Sequence, residues 1–505
     1  MHALPAPADA GARARRRPPG VSAAGPGEFA PARELARRRV VRLVFLIYLL
    51  AIFEGALRKY VLPQFGQYIF FVRDPFLVWA YAIATRWKLW PRGDAMFRVV
   101  VWGSGCGVVL LFLQMAFGGP SDVRLLLGVY GWRAYFLYLP LAFLIGSQFG
   151  RDDLMRLARW TLLLALPIAV LVAAQFFSPT DALINVGTAD DKLLQFRDLA
   201  IDSAHVRPAG PFSSNAGLQQ FVTTTVALVL SLLILPARQR RLGTLTVLVG
   251  AGSALTCVAL SGSRGTMLQT AMILLFALPL SLIGRNASVR ARAALIPIAL
   301  AVAAVVLYPI VFPEGFTAFT NRWDQAAQDE SGIQGGVFGR ALFGFVDFTR
   351  LVDMVPPLGF GLGFGGNAAV LMKATIDGVQ PGVYAETDYA RHMVDLGPAF
   401  GIAYIVFRFV FVFWLLRRVL RATRGSGSPL PMMLFAYAGY VTLLSQITGN
   451  GSINVYGWLF AGLCMAACRV AVAPVATARA PAAARSRLAA LRPRPARRRP
   501  PPLAS

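Results

Sequence analysis

Apolar stretches long enough to cross a lipid bilayer recur along this chain from residue 40 to residue 470. A hydrocarbon core about 30 Å thick needs roughly 20 apolar residues in a helix. No water is available there, so each backbone N–H and C=O must be hydrogen-bonded within its own helix. We therefore predict an all-α, polytopic membrane protein with about 12 transmembrane helices. The predicted spans are residues 40–55, 67–85, 97–117, 129–149, 154–177, 216–235, 242–260, 266–283, 293–312, 392–416, 431–447 and 453–470.

The formal net charge of +26 is concentrated in two tails and in short loops. Residues 1–39 and 471–505 are rich in Arg, Pro and Ala, which predicts disordered basic tails around a membrane domain at residues 40–470. No small-residue cleavage site follows the first apolar run, so we expect an uncleaved first span. The tails lack interleaved aromatic residues, which argues against nucleic acid as a partner and leaves anionic membrane lipids.

Basic residues alternate between the loops as the positive-inside rule requires. Counting from a cytoplasmic N-terminus, every second loop is basic, and so is the C-terminal tail. We therefore predict a multi-pass membrane protein with both termini in the cytoplasm. The basic residues of these inner loops are Arg86, Lys88, Arg92, Arg151, Arg156, Arg159, Arg238, Arg240, Arg241, Arg285, Arg290, Arg292, Arg417, Arg418, Arg421 and Arg424.

Two outer loops are long enough to carry a function, at residues 178–215 and 313–391. Within the second, apolar residues at helical spacing over 338–355 predict a short helix, with Arg340, Asp347 and Arg350 on its polar face. This face is either solvated or turned towards a headgroup cavity. The glycine-rich run at 359–366 lacks the Lys-Ser/Thr of a phosphate-binding loop, so we interpret it as a hinge or a close-packed turn.

Arginine on the outer side runs against the positive-inside trend, and Arg264 is the clearest case. It lies in Ser261-Gly-Ser-Arg-Gly265, between two apolar runs with almost no loop. The guanidinium would sit at headgroup level, where its planar donors suit a phosphate or pyrophosphate. The alternative is an arginine that extends to the interface from a tight turn and binds nothing.

Arg207 opens a second such segment, Arg207-Pro-Ala-Gly-Pro-Phe-Ser-Ser-Asn215. Its Pro and Gly residues indicate a defined turn, and the Ser-Ser-Asn end is suited to cap the following helix. An anion near that helix start and simple capping are both open readings.

Three further charged sites complete the candidates. Glu386 lies where partial desolvation would suit a general base, although a helix start is the plain alternative. Arg391 follows it at the start of the next span. Arg73 and Asp74 lie inside a predicted span, which is costly unless they have partners. Either the two neutralise each other, or they join Glu54 and Arg58 around the same cavity.

These segments resemble the O-antigen ligase and O-antigen polymerase superfamily of bacterial integral-membrane glycosyltransferases. The resemblance covers roughly residues 40–470. Ser261-Gly-Ser-Arg-Gly265 is similar to the family's Ser-x-Ser-Arg-Gly motif, and the segment from Arg207 to Asn215 is similar to its Arg-x-x-Gly-x-Phe segment. Weaker similarities are the loop from Gly339-Arg340 to the Gly-x-Gly turn at 359–363, and the loop's end from Glu386 to Gly401.

One departure concerns the proposed base. Ligases of the family often carry His-Asn at the end of the loop, whereas this chain has Glu386-Thr387 there. This favours a polymerase-like subgroup, which the chain also resembles at Phe53-Glu-Gly-Ala-Leu-Arg-Lys59 and Arg73-Asp-Pro75.

The resemblance implies transfer of an oligosaccharide from an undecaprenyl-pyrophosphate donor to a glycan acceptor at the periplasmic face, without a metal or cofactor. Polymerisation of repeat units into exopolysaccharide or another surface polysaccharide of the cell envelope is the first reading, with a chain-length regulator as a candidate partner. Arg207, Arg264, Arg340 and Arg73 would bind pyrophosphate, while Glu386, Arg264 and Arg391 would be catalytic.

Two other functions remain open at this stage. An O-antigen ligase would transfer the glycan to a lipid or protein acceptor. A flippase or transporter of lipid-linked glycans would need charged residues deep in many spans and a cavity near the membrane midplane. Most of the predicted spans are free of charge at their centres.

Overall fold

The computed structural model describes residues 29–118, 122–187, 205–317, 319–321, 343–366, 369–370 and 387–472. This part of the chain is 80% helical and contains no strands. The predicted all-α class is therefore confirmed. The helices are α1 Phe29–Ala56, α2 Gly66–Ile69, α3 Asp74–Arg86, α4 Ala95–Gly118, α5 Asp122–Trp132, α6 Leu139–Gln148, α7 Arg151–Phe177, α8 Asn215–Ile234, α9 Thr244–Leu260, α10 Arg264–Leu275, α11 Pro279–Ile283, α12 Ala287–Val311, α13 Asp388–Ser426, α14 Leu430–Leu444 and α15 Gly451–Val472.

Nine helical stretches in the described ranges are long and apolar enough to cross a membrane, so this is a membrane protein by length and composition. Each coincides with one predicted span. The other three predicted spans match shorter helices: α9 with 17 residues, α14 with 15 and α3 with 13. The nine stretches are Pro31–Val61, Ala95–Phe117, Val123–Gln148, Arg151–Phe177, Asn215–Ile234, Arg264–Ile283, Ala287–Val311, Asp388–Ser426 and Gly451–Val472.

The first helix begins earlier than the sequence pattern predicts. The composition of residues 29–39 predicts part of a disordered tail, but α1 starts at Phe29. Glu34 pairs with Arg37 and Arg38 one turn away, and Arg37 also reaches Asp153 at 3.0 Å. These ion pairs stabilise a helix at residues where no apolar periodicity predicts one. Residues 471–472 of the other predicted tail belong to the end of α15, and residues 1–28 and 473–505 lie outside the described residues.

The core of the bundle is α15, which is buried along almost its whole length. It packs on α6, α13 and α14. At Gly462 the helix approaches α6 so closely that a Cβ would lie 2.7 Å from the carbonyl oxygen of Ala142. By contrast α12 is almost entirely exposed, with apolar side chains facing outwards. An apolar exterior around a packed core is what a lipid environment requires.

The two ends of the bundle differ in the polar contacts that connect their helices. At one, which we name the basic end, Arg241 meets Asp152 at 2.7 Å and Arg418 meets Asp94 at 2.8 Å. Further contacts there are Arg37 with Asp153, Arg285 with the Gly425 carbonyl, and Arg292 with the Leu235 carbonyl. These contacts connect the five predicted basic loops. The candidate site residues lie at the opposite end, which we name the site end.

Helix α13 contains a reversal at Gly397, whose φ of 77° is in the left-handed region. Asp388 and Arg408 are 20 residues apart, which would separate them by about 30 Å in a straight helix. Instead Arg408 Nη1 lies 2.6 Å from Asp388 Oδ2. The residues before Gly397 therefore fold back along those after it, and the predicted span 392–416 is wrong at its start. Pro398 follows the turn, where a new helix begins with the fixed φ of proline.

The glycine-rich run is packed against this reversal and against α5. A Cβ at Gly359 would lie 2.7 Å from the backbone nitrogen of Gly397. One at Gly363 would lie 3.0 Å from the nitrogen of Gly131 and still closer to the Leu127 carbonyl. Both residues have positive φ. These contacts favour a close-packed turn over a hinge.

The predicted helix 338–355 is only partly described. From residue 343 the chain is helical, and it tightens to a 3-10 helix at Asp347–Leu351. The sequence pattern places Asp347 on a solvated face, but it is 2% exposed. It forms an ion pair with Arg350 and accepts a hydrogen bond from Thr387 Oγ1 at 3.2 Å. The carboxylate is buried because it fastens this turn to the start of α13.

Candidate functional site

A buried group of charged side chains lies at the site end, around the end of α1, the start of α3 and the residue that follows α5. We name it the cation cluster, and its members are Glu54, Arg58, Lys59, Arg73, Asp74 and Arg133. Arg73 Nη2 is 3.0 Å from Glu54 Oε2, and Arg58 Nη1 is 3.5 Å from Glu54 Oε1. Asp74 instead pairs with Arg133 and accepts a 2.6 Å hydrogen bond from Tyr138. Arg73 and Asp74 thus do not neutralise each other; Arg73 joins Glu54, the second arrangement considered from sequence.

Arg73 is the least satisfied member of the cation cluster. Its side chain is 1% exposed, yet none of its three nitrogens has a hydrogen-bond acceptor among the described residues. The Glu54 contact is an ion pair whose angles fall outside those of a hydrogen bond. Burying a guanidinium without acceptors costs several kcal/mol. The four cations of the cluster face two carboxylates, so two positive charges are in excess.

Four aromatic rings lie around the guanidinium of Arg133. Its guanidinium carbon lies 4.7 Å from the centre of the Phe70 ring and 5.1 Å from that of Phe71, with Tyr130 and Tyr138 within 6.0 Å. Cation–π contacts and the Asp74 carboxylate together account for its burial. Arg133 is therefore a satisfied member of the cluster, in contrast to Arg73.

A second buried group, the aspartate network, lies on the two arms of α13. It comprises Asp388, Arg391, His392, Asp395 and Arg408. Asp388 accepts from Arg391 Nη1 at 3.0 Å, from Arg408 Nη1 at 2.6 Å and from Thr448 Oγ1 at 2.8 Å. Two arginines and two aspartates balance one another, so this group carries no excess charge when both aspartates are ionised and His392 is neutral.

His392 is bonded through both ring nitrogens. Arg408 Nη1 lies 2.8 Å from Nε2, and an arginine only donates, so Nε2 is the acceptor. Nδ1 then carries the hydrogen and donates to Tyr135 Oη at 3.0 Å, and Tyr135 donates to Asp395 Oδ2 at 3.1 Å. Neither nitrogen is left to take a proton from a substrate.

The aspartate network also fixes the glycine-rich turn. Asp395 Oδ1 accepts from the Gly365 backbone nitrogen at 2.6 Å, and Arg391 Nε donates to the Gly365 carbonyl at 2.7 Å. Gln114 of α4 bonds the same turn at Leu358 and Leu362. Arg391, predicted to be catalytic, is 4% exposed and donates to a backbone carbonyl. Its contacts in the structure hold the turn in position.

The turn between α14 and α15, at residues 445–450, lies between the two groups. Its Thr448 bonds Asp388, and the Arg391 guanidinium rests against Gly449, where a Cβ would overlap it. A Cβ at the neighbouring Gly451 would lie 2.8 Å from the Phe70 ring and 3.8 Å from Arg73 Nη2. One short turn therefore separates Arg391 from Arg73.

The two turns that carry Arg207 and Arg264 are neighbours at the same end. Asn215 Nδ2 donates to the Pro208 carbonyl at 3.0 Å and to the Ser261 carbonyl at 3.4 Å. Ser263 caps α10 by accepting from the Thr266 nitrogen, which places Arg264 in the first turn of that helix. Both arginines are half-buried. Gly55 of α1 packs against this segment, where a Cβ would lie 2.6 Å from Phe212 Cα.

The structure therefore brings Arg73, Arg207, Arg264 and Arg391 to one end of the bundle. The predicted residues Arg340 and Glu386 lie outside the described residues. Sequence reasoning missed Arg408 and Thr448. Arg408 carries a readable signal, because it is a lone arginine inside an apolar run of phenylalanines. Thr448 carries no such signal in the sequence, since its hydrogen bond to Asp388 depends on the fold.

Comparison of the sequence with protein-family models and with curated proteins gives no match. Within the described ranges, no three His, Cys, Asp or Glu side chains are grouped as ligands of a metal ion would be.

Proposed function

We propose that this protein is a glycosyltransferase that polymerises undecaprenyl-pyrophosphate-linked oligosaccharides at the periplasmic face of the bacterial inner membrane. The observation that carries the proposal is the convergence of Arg73, Arg207, Arg264 and Arg391 at one end of an apolar helical bundle. This is the end opposite the basic loops, and the positive-inside rule assigns those loops to the cytoplasm.

The charge of the site end suits the leaving group of such a reaction. An acceptor hydroxyl oxygen attacks the anomeric carbon, the bond from that carbon to the pyrophosphate oxygen breaks, and the hydroxyl proton passes to a base. Negative charge grows on the departing pyrophosphate, and preorganised cations stabilise it most in the transition state. Arg207 and Arg264 on adjacent turns, with Arg340 from the long loop, are the proposed pyrophosphate ligands. Glu386 is the proposed base.

Arg391 acts in this scheme through the turn it holds. Its bonds to Asp388 and Gly365 fix the chain directly after Glu386 to the glycine-rich turn. It is therefore proposed as a positioning residue, and the reacting groups come from the loop and from the turns of Arg207 and Arg264.

A transporter would need charged residues deep in many spans, and Arg408, the lone arginine in the apolar run of α13, does not meet this requirement. Arg408 Nε donates to the Thr442 carbonyl at 2.6 Å, and Nη2 donates to the Ser445 carbonyl at 3.3 Å. These carbonyls belong to the end of α14, so the guanidinium lies at the level where a neighbouring helix finishes. It also caps carbonyls that have no partner within α14.

Deletion of the gene, followed by size separation of surface and lipid-linked glycans, tests the proposal. A polymerase predicts loss of long chains while single repeat units reach the surface or accumulate on the carrier outside. Finished polymer retained on the carrier would identify a ligase instead, and repeat units trapped on the inner face would identify a transporter. An unchanged profile would refute all three.

Complementation with Arg264→Ala and Arg264→Lys then tests the site. Both variants should lower polymer yield by about a hundredfold, because a lysine does not reproduce the planar fork of donors. Arg241→Ala, which removes an exposed arginine at the basic end, is the matched control. Full yield from both Arg264 variants at normal protein level would remove Arg264 from the mechanism.

A further inference from the structure

The chain between α1 and α3 lies over the cation cluster and exposes apolar side chains. This surface segment, residues 60–71, contains a 3-10 turn at Pro63–Phe65 and the short helix α2. Val61 is 61% exposed, Phe65 50% and Tyr68 74%. Because the segment joins two helices that pack side by side, we place it at the level where the bundle leaves the bilayer. Aromatic and apolar side chains at that level contact lipid.

The cation cluster lies directly beneath this segment. A Cβ at Gly66 would be 4.0 Å from Arg58 Nε, and Phe70 covers Arg133. Arg58 is the outermost cation, with 16% of its side chain exposed, while Lys59 and Arg73 are buried behind it. Positive charge and exposed apolar surface are thus continuous across Arg58.

Two observations indicate that the cluster is incomplete without an anion. It holds two more cations than carboxylates, and Arg73 and Arg58 both keep buried nitrogens that lack acceptors among the described residues. Nearby Asp388 shows the contrast, since each of its oxygens accepts a hydrogen bond from a buried arginine. A phosphate or pyrophosphate supplies several acceptor oxygens and the missing negative charge.

We infer that the cation cluster and the surface segment together bind a phosphorylated lipid. The phosphate or pyrophosphate occupies the space at Arg58 and Arg73, and the first units of the hydrocarbon chain lie along Val61, Phe65 and Tyr68. Only the identity of this lipid, an undecaprenyl-pyrophosphate carrier, rests on the proposed function. The site is built from other chain segments than the turns of Arg207 and Arg264, and it would hold a second lipid-linked glycan, whose pyrophosphate is not the one that leaves in the proposed reaction.

Direct binding to the purified full-length protein in detergent micelles tests the inference. The two probes are undecaprenyl pyrophosphate and inorganic pyrophosphate, each titrated with native mass spectrometry as the readout. The wild type should bind the lipid about tenfold or more tightly than the inorganic ion. Arg58→Gln and Arg73→Gln should each weaken lipid binding about tenfold or more.

A variant of the surface segment tests the contribution of the hydrocarbon chain to binding separately from that of the phosphate group. Phe65→Ser combined with Tyr68→Ser removes only exposed side chains, so the protein should remain folded. It should weaken binding of the lipid and leave binding of inorganic pyrophosphate unchanged. Arg241→Gln, at the opposite end, should alter neither.

Three results would overturn the inference. One is equal binding of lipid and inorganic pyrophosphate, which would leave an anion site without a lipid site. Another is unchanged lipid binding in Arg58→Gln, which replaces the most exposed cation of the cluster. The third is unchanged lipid binding in the Phe65/Tyr68 variant. Failure of the proposed function is read separately, because a normal glycan profile after gene deletion leaves these binding results intact.

Discussion

Gly449→Ala isolates the contact that fixes Arg391. The new Cβ would overlap Arg391 Nη1 and Cζ and would lie 2.8 Å from Nη2. The backbone of Gly449 is not in the left-handed region, so alanine brings no conformational strain of its own. The guanidinium has little freedom to withdraw, since Nε is bonded to the Gly365 carbonyl and Nη1 to Asp388. The substitution therefore forces these two bonds to break.

The expected cost follows from the bonds lost. A charge-assisted hydrogen bond contributes about 1.5 to 3 kcal/mol, and a buried carbonyl left without a donor costs about 1 to 3 kcal/mol. Together they predict a loss of about 3 to 5 kcal/mol in the free energy of unfolding, the range for breaking a buried ion pair. This corresponds to a change of roughly a hundredfold or more in the unfolding equilibrium.

The assay is unfolding in mixed micelles, with tryptophan fluorescence as the probe, in a double-mutant cycle with Arg391→Ala. When the arginine side chain is absent, the new methyl group has room, and Gly449→Ala should then cost less than about 0.5 kcal/mol. Gly252→Ala, where a Cβ meets nothing within 4 Å, is the control in both backgrounds. An equal cost of Gly449→Ala with and without Arg391 would refute the reasoning, as would no cost in the wild type.

Other substitutions test the rest of the site end. Asp388→Asn should cost about 3 to 5 kcal/mol, because two buried arginines lose their carboxylate, whereas Asp152→Asn at an exposed pair should cost less than about 1 kcal/mol; equal costs would contradict the network. Gly397→Ala should destabilise by about 1 to 3 kcal/mol, since its φ is 77° and its Cβ would press on the Pro357 carbonyl. Gly425→Ala, in open space on the same helix, should be neutral or stabilising by up to about 1 kcal/mol, and the same unfolding assay compares the two.

Much of the fold follows from apolar run length alone, because the bilayer permits so few solutions. Run length predicts the spans with full apolar length, such as α7 and α15, to within a few residues. It fails where tertiary contacts override hydropathy. Residues 392–396 precede a long apolar run and fall within the predicted span, yet the left-handed Gly397 reverses the chain. Whether a glycine takes that conformation depends on the Pro357 carbonyl and Gly359 beside it, which are distant in sequence.

The sequence predicts which arginines lie at the site end, but it does not predict how they pair. Arginines against the positive-inside trend identify Arg73, Arg207, Arg264 and Arg391, and all four lie at the site end. Their chemical states differ for reasons that only the fold supplies. Arg391 is neutralised by Asp388, three residues along its own helix. The partner of Arg73 is Glu54 of another helix rather than the adjacent Asp74.

The charge balance around a buried arginine distinguishes one that stabilises the fold from one that can bind an anionic ligand. A buried arginine that has a carboxylate and backbone acceptors is already satisfied, so an anionic ligand gains little by approaching it and must displace existing bonds. That is the state of Arg408, which bonds Asp388, His392 and two carbonyls. Arg73 has the opposite state, with excess positive charge around it and nitrogens still lacking acceptors among the described residues. An anion that reaches Arg73 removes an existing cost, and its binding should therefore stabilise the protein more than the same anion at any other buried arginine of the site end.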